Sequence, residues 1–252
     1  MHVTRVVVEA PVTSFRHPFF VTGRQPTFDF PPPSTIFGHC ASALGKWPDA
    51  TTFFFGLHFT SQARAGDLEH QHITTALAPK TKTMVSTEDG PARATTEVTV
   101  QPVRRDFLFG ARMTLYLPPE IGAAFRAPVH TVVLGRSQDL AEIVEVKEVV
   151  LEKTGRARLE HTLLPRTLRP CVRFGTTVLL TRHISEPPTR DASFAQFIAL
   201  REHVHLGEGA DPNRAFVRVD NISLDDLWVD TDHVDDDGFP RGVWIHRLTD
   251  PS

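Results

Sequence analysis

Residues 3–9 (VTRVVVE) form a nearly continuous apolar run, the pattern of a strand buried on both faces. Pro31, Pro32 and Pro33 then hold the chain extended. Ser34 stands where a helix N-cap belongs, followed by Thr35, and Ile36, Phe37, Cys40, Ala41 and Leu44 recur at helical spacing before Gly45. In residues 51–62, Phe53, Phe55, Leu57 and Phe59 alternate, which predicts a strand. No basic residue alternates with them, so they read as core rather than as a base-stacking surface. Residues 103–117 predict a core strand, 129–135 another, and 142–153 an edge strand. Residues 215–220 (AFVRVD) and 241–248 (RGVWIHRL) predict two more. Strand, helix and strand in this order open an α+β chain with a ferredoxin-like or RRM-like unit. A soft boundary falls near residue 150. It separates an RRM-like domain, 1–150, from a β-rich region, 151–252, with a basic start and an acidic end.

Residues 72–102 differ in character. Threonine dominates, large apolar residues are sparse, and Asp89-Gly90 is a tight-turn signal between β-prone arms. The prediction is a projecting hairpin that buries little surface, with Lys80, Lys82 and Arg93 flanking its tip. The alternative is a plain surface loop.

Composition narrows the picture. A chain of 252 residues makes one large domain or two small ones and can bury a substantial core without disulfides. The two cysteines, Cys40 and Cys171, give no disulfide framework, so a reducing cytoplasm is the default location. No apolar signal segment follows Met1, and no apolar run is long enough to span a bilayer. Net charge is −3, unevenly spread. Residues 186–252 hold 6 Lys and Arg against 14 Asp and Glu, so the first 185 carry +5. Residues 151–182 alone hold 7 Lys and Arg against 2 Glu. A basic body with an acidic end suits RNA on one side and protein on another.

Several residues are candidates for phosphate contacts. The start of the 34–45 helix offers free backbone N–H groups and two hydroxyls, with Arg16 and Arg24 just upstream and the small residue Gly38 inside it. A capped surface helix packed on a sheet would show the same pattern. Arg104 and Arg105 enter the 103–117 strand. Arg136 and Ser137 open a predicted short helix. Arg166, Arg169 and Arg173 punctuate a proline-rich stretch, where guanidinium forks suit phosphates and unpaired bases. His70 with His72 and His203 with His205 are spaced to share a strand face, which raises a metal-dependent enzyme as a third class of function, although zinc would need further ligands. Residues 230–238 imitate a calcium loop, with Val234 at a ligand position, and read as a solvated turn. There is no P-loop, dinucleotide fingerprint or Ser-His-Asp signature.

Ser14, Phe15 and Arg16, then Pro31 to Thr35, Ile36, Gly38, Ala43, Leu44 and Gly45, together resemble the opening of the CRISPR-associated Cas-five family, part of the RAMP superfamily of RNA-binding proteins. LGRSQDLAEI at 134–143 is similar to that family's second motif, and RPCVRFGTTVLLTR at 169–182 matches more loosely. The resemblance implies a non-catalytic subunit of a type I, and by preference type I-B, surveillance complex (Cascade). Such a subunit grips the 5′ handle of crRNA and caps the backbone filament. Its partners would be the backbone and large subunits and, through the complex, target DNA, with no membrane and no cofactor. Residues 72–102 would be the thumb folded over guide RNA. One branch of the family cleaves precursor crRNA without metal through a tyrosine, a lysine and a histidine. Tyr116, the only tyrosine, falls in a predicted core strand, so cleavage is the lesser expectation, with His39 and His58 as its candidate acid and base.

Overall fold

The computed structural model describes residues 1–20, 23–77, 83–88 and 90–249, so Lys80, Lys82 and Asp89 of the expected hairpin tip lie outside the described residues. The apolar run near the N-terminus becomes β1 (His2–Thr13), buried from Val3 through Val8 because it has neighbours on both sides. After it come β2 (Arg24–Gln25), α1 (Pro33–Leu44), β3 (Phe54–Thr60), β4 (Ala63–Ala76), β5 (Met84–Thr87) and β6 (Gly90–Arg93). The first half closes with β7 (Thr96–Leu117), α2 (Pro119–Ala123) and β8 (Glu142–Val150). The principal sheet runs β3-β7-β1-β8, antiparallel at each step, with β8 on its edge. β2 joins β7 in parallel and β4 joins it antiparallel. The chain is β-rich with few helices.

α1 begins two residues earlier than its sequence predicts, its N-cap falling at position 32 rather than 34. Pro33 occupies the first helical position, where its missing N–H costs nothing, and its fixed φ starts the turn. Pro32 takes the N-cap position without a side-chain hydrogen bond, so Ser34 is not the cap. Gly45 ends the helix at φ 72, and a Cβ there would stand 2.9 Å from Val129 Cγ1. Ile36, Phe37 and Cys40 are buried against Phe53, Phe55, Leu57 and Phe59, all nearly inaccessible, as alternation predicts for a core face.

The arm is larger than residues 72–102. β4 pairs with β7 from Ala63↔Phe109 to Ala76↔Thr96, and nearly every β4 residue is exposed. β5 and β6 pair beyond it, with Thr87 opposite Gly90. The lower stem was hidden because β4 is exposed nearly throughout and so carries no apolar period.

The second half contributes β9 (Ala157–Leu159), β10 (Thr162–Pro165), β11 (Thr176–Ile184) and β12 (Ala192–Leu200), then β13 (Val204–Leu206), β14 (Leu227–Val234), β15 (Pro240–Trp244) and β16 (His246–Arg247). One sheet runs β10-β12-β11 and another β13-β9-β15-β14. β16 returns to pair with β3, so the predicted 241–248 strand divides at Ile245 between two sheets. The core under α1 includes Leu163, Leu180 and Phe197 from beyond residue 150. A second core gathers Leu159, Ile198, Leu206 and Trp244.

Two predicted strands are absent. Residues 129–135 form a loop held to β1 by Thr13 Oγ1, which donates to the Leu134 carbonyl at 2.6 Å, because β8 already occupies that edge of β1. Residues 215–220 make isolated bonds instead. Phe216 N–H reaches the His205 carbonyl at 2.8 Å and Val217 N–H the Cys171 carbonyl at 2.9 Å. Among the described residues, no helix is long and apolar enough to cross a membrane.

Candidate nucleic-acid interface

The loop between β1 and α1 folds back on itself. Arg16 bridges Thr27, Phe28 N–H bonds the Phe15 carbonyl at 2.9 Å, and Phe15 N–H bonds Thr27 Oγ1 at 2.8 Å. This holds Arg16 outward, exposed and without an ion pair among the described residues. At the start of α1, Ser34, Thr35 and Gly38 are half-exposed, and a Cβ on Gly38 would meet nothing within 4 Å. Packing within the chain therefore does not explain that glycine. It leaves open space beside the helix.

β2 places Arg24 directly across from Arg104 on β7. Arg24 forks onto the buried carboxylate of Asp106, Nη2 at 2.8 Å and Nε at 3.2 Å, while its own side chain stays 67% exposed. The carboxylate raises the Arg24 pKa. One acid thus offsets part of a local charge of two arginines, and Arg104 remains exposed and unpaired among the described residues. Arg16, Arg24 and Arg104 lie around the root of the arm, where the 14–30 loop, β2 and β7 meet. Arg93 lies on β6, exposed and opposite Met84.

Three other sequence candidates, Arg105, Arg136 and Arg169, make contacts within the fold. Arg105 is buried and ion-paired with Glu69, a contact spanning the arm's root. Arg136 forks onto Asp139 with both bonds at 2.8 Å and lies 3.6 Å from Glu69. Ser137 is exposed in a turn rather than opening a helix, because the Arg136–Asp139 pair and the Val133↔Leu140 bridge close the loop first. Gly135, at φ 90, lets this loop lie on β1, since a Cβ would come within 2.6 Å of the Ser14 carbonyl oxygen. Arg169 donates to the carbonyls of Arg173, Phe174 and Gly175 at 3.0–3.1 Å and so stitches its own loop. Arg166 and Arg173 are exposed without ion pairs among the described residues.

Sequence spacing missed a histidine cluster. His58 and His161 rings lie 5.5 Å apart, and Glu160 stands 3.8 Å from His58 Nε2 and 2.6 Å from Arg158. His205 stacks on Phe239 at 4.2 Å with Asp235 3.3 Å from its Nε2, and His203 lies beside it. Burial pushes His58 down to about 4, and His39, sealed against Phe125, also to about 4. No local motif could have assembled residues drawn from β3, β9 and β13. His70 and His72 are exposed on β4. Among the described residues, no three His, Cys, Asp or Glu side chains come together as a metal set. Tyr116 is fully buried and its hydroxyl donates to Asp230 at 2.7 Å. Asp230 is also paired with Arg5 at 2.8 Å, so the calcium-like stretch begins in a buried ion pair.

No curated protein sequence matches the chain. Similar solved structures include a chain of a CRISPR RNA-guided surveillance complex, at 16% identity and TM-score 0.47, covering 87% of this chain and 95% of that one. A crystal structure of a CRISPR protein from Archaeoglobus fulgidus is similar at 15% identity and TM-score 0.43, covering 98% and 99%. A chain of the Type III-B Cmr-beta complex bound to cognate target RNA and AMPPnP is similar at 10% identity and TM-score 0.43, covering 79% and 85%. A family model described as CRISPR-associated protein (Cas_Cas5) matches residues 5–194. That match spans most of the chain, which therefore belongs to the CRISPR-associated Cas5 family.

Proposed function

We propose that this chain is a non-catalytic, RNA-binding subunit of a type I CRISPR surveillance complex that holds the 5′ handle of crRNA and caps the backbone filament. The observation that carries this reading is the arginine group, Arg16, Arg24 and Arg104, at the root of an exposed two-stranded arm. Guanidinium groups held outward by a folded-back loop can take phosphates without reshaping the protein. The chain order β1-α1-β3-β7-α2-β8 with sheet order β3-β7-β1-β8 supports a ferredoxin-like RAMP unit. The exposed arm would lie over guide RNA and meet the neighbouring backbone subunit, with the large subunit and target DNA reached through the complex.

Burial of Tyr116 against Asp230 supports a binding role over cleavage, as does the buried position of His39. Incubating purified protein with its own repeat RNA tests this. Intact RNA is the expected result, and specific cleavage that persists in EDTA and disappears in His58→Ala would replace the proposal with a metal-free nuclease. Co-expression with the backbone subunit and repeat RNA should yield one particle containing all three.

A further inference from the structure

β12 is only half covered along one of its edges. β10 pairs with it from Thr162↔Leu200 to Pro165↔Phe197 and then stops. The chain enters the 3₁₀ turn Arg166–Leu168 instead of continuing the strand. β11 takes the other edge of β12, from Thr176↔Ala199 to Ile184↔Ala192. Among the described residues, no strand pairs with residues 192–196 on the β10 side. A cleft of about 490 Å³ is lined by Pro165 and Arg166, where β10 stops, and by residues 194–197 of β12. The cleft therefore lies where a longer β10 would run. Three arginines line it, Arg166, Arg182 and Arg247, and none of the described lining residues is acidic. Arg247 shares its charge with Asp226, at 2.6 Å. Arg166 is exposed and without an ion pair among the described residues. The rings of Phe55, Phe197 and His246 are packed together, each at most 6% exposed, and offer no open face for stacking. Open apolar surface comes instead from Leu179 on β11, 43% exposed, and from half-buried Phe194.

An uncovered strand edge presents a row of backbone donors and acceptors, and another extended polypeptide satisfies them best. A nucleic acid has no amides and carbonyls at strand spacing. In an added strand, successive side chains point to opposite sides, so acidic and aliphatic residues can alternate along it. The arginines call for the first kind, and Leu179 with Phe194 for the second. We infer that a protein partner adds an extended segment of this alternating chemistry to β12 at residues 192–196, in line with β10. This goes beyond the RNA-binding reading above and does not depend on it.

The test uses the full chain and a fluorescein-labelled hexapeptide, Glu-Val-Glu-Leu-Glu-Val, followed by anisotropy. Saturable binding is expected with the wild type. Changing the peptide's glutamates to lysines should weaken it about tenfold, and so should Arg166→Glu on the exposed turn, with the melting temperature unchanged. Alternate amides of a strand point to opposite sides, so two N-methylated peptides separate its edges. The peptide methylated at the amides that face β12 should bind about tenfold more weakly, and the one methylated at the other amides should bind as before. Amide hydrogen exchange at residues 192–196 should slow when the peptide is bound. No saturable binding, or equal binding of the two methylated peptides, overturns the inference. It is also overturned if Arg166→Glu weakens binding of a single-stranded repeat RNA and leaves the peptide unaffected, which would give the cleft to RNA.

Discussion

Arginine does opposite work at positions 16 and 105. Arg16 is exposed on a loop that holds itself, so Arg16→Ala should leave the melting temperature unchanged while weakening RNA binding and flattening its salt dependence by about 0.7 in log–log slope. Arg105 is buried against Glu69, so Arg105→Ala leaves a carboxylate partly uncompensated at the arm's root. Glu69 is partly solvated, which puts the loss below the roughly 3–5 kcal/mol of a fully buried pair, and chemical denaturation should show about 1–3 kcal/mol. The sequence offers both alike, as candidate phosphate contacts. Their difference lies in Glu69, 36 residues away, and pairing across sheets cannot be read locally. Arg136 with Asp139 and Arg169 with three carbonyls are local contacts, but the loop's conformation rather than any residue spacing brings them together, whereas Phe53 to Phe59 were legible because alternation is local. Histidine carries a pH prediction. His39 is held to about 4 when folded, against an ordinary value near 6.5, so the unfolded chain binds more protons between those values. Stability should be full above pH 6.5 and fall as pH drops toward 4, by on the order of 2–3 kcal/mol for this group. Urea midpoints at pH 7 and pH 5 should differ less in His39→Gln than in the wild type.

Among the elements, α1 was the most legible, because the prolines and Gly45 punctuate it and its apolar face repeats at helical spacing. Its start moved by two residues since Pro33 can occupy the first helical position, a choice Ser34 obscured. Gly45→Ala forces a side chain into φ 72 and toward Val129, so it should cost about 1–2 kcal/mol in a denaturation experiment. The arm behaves differently. Its turn signal was visible, but its stem to Ala63 was not, because a strand exposed on both faces leaves no apolar period. Replacing the arm beyond Ala76 and before Thr96 by a short Gly-Ser turn should shift the melting temperature little, since none of its described residues belongs to a core cluster. Hydrogen exchange along β4 should be fast in the free protein and slow in an assembled complex. Equal protection in both states would make it an ordinary packed hairpin.

At the scale of the whole molecule, the halves share structure across residue 150. Leu163 and Phe197 sit in the core under α1, β16 pairs with β3, and Arg5 on β1 reaches Asp230 on β14 at 2.8 Å. The acidic end is therefore anchored to the basic body by a buried pair, and Asp230 is held below the usual carboxylate range through Tyr116 and Arg5 despite its burial. Charge bookkeeping along the sequence showed the two regions but not this joint. Exposed arginines gather at the arm's root, where the proposed RNA contacts lie. The most direct measurement is the affinity of the purified chain for its own repeat-derived 5′-handle RNA across a salt series. Three arginine–phosphate contacts predict a negative log–log slope of at least about 2, reduced in Arg16→Ala and Arg104→Ala. A flat slope, or one unchanged in both variants, would contradict it.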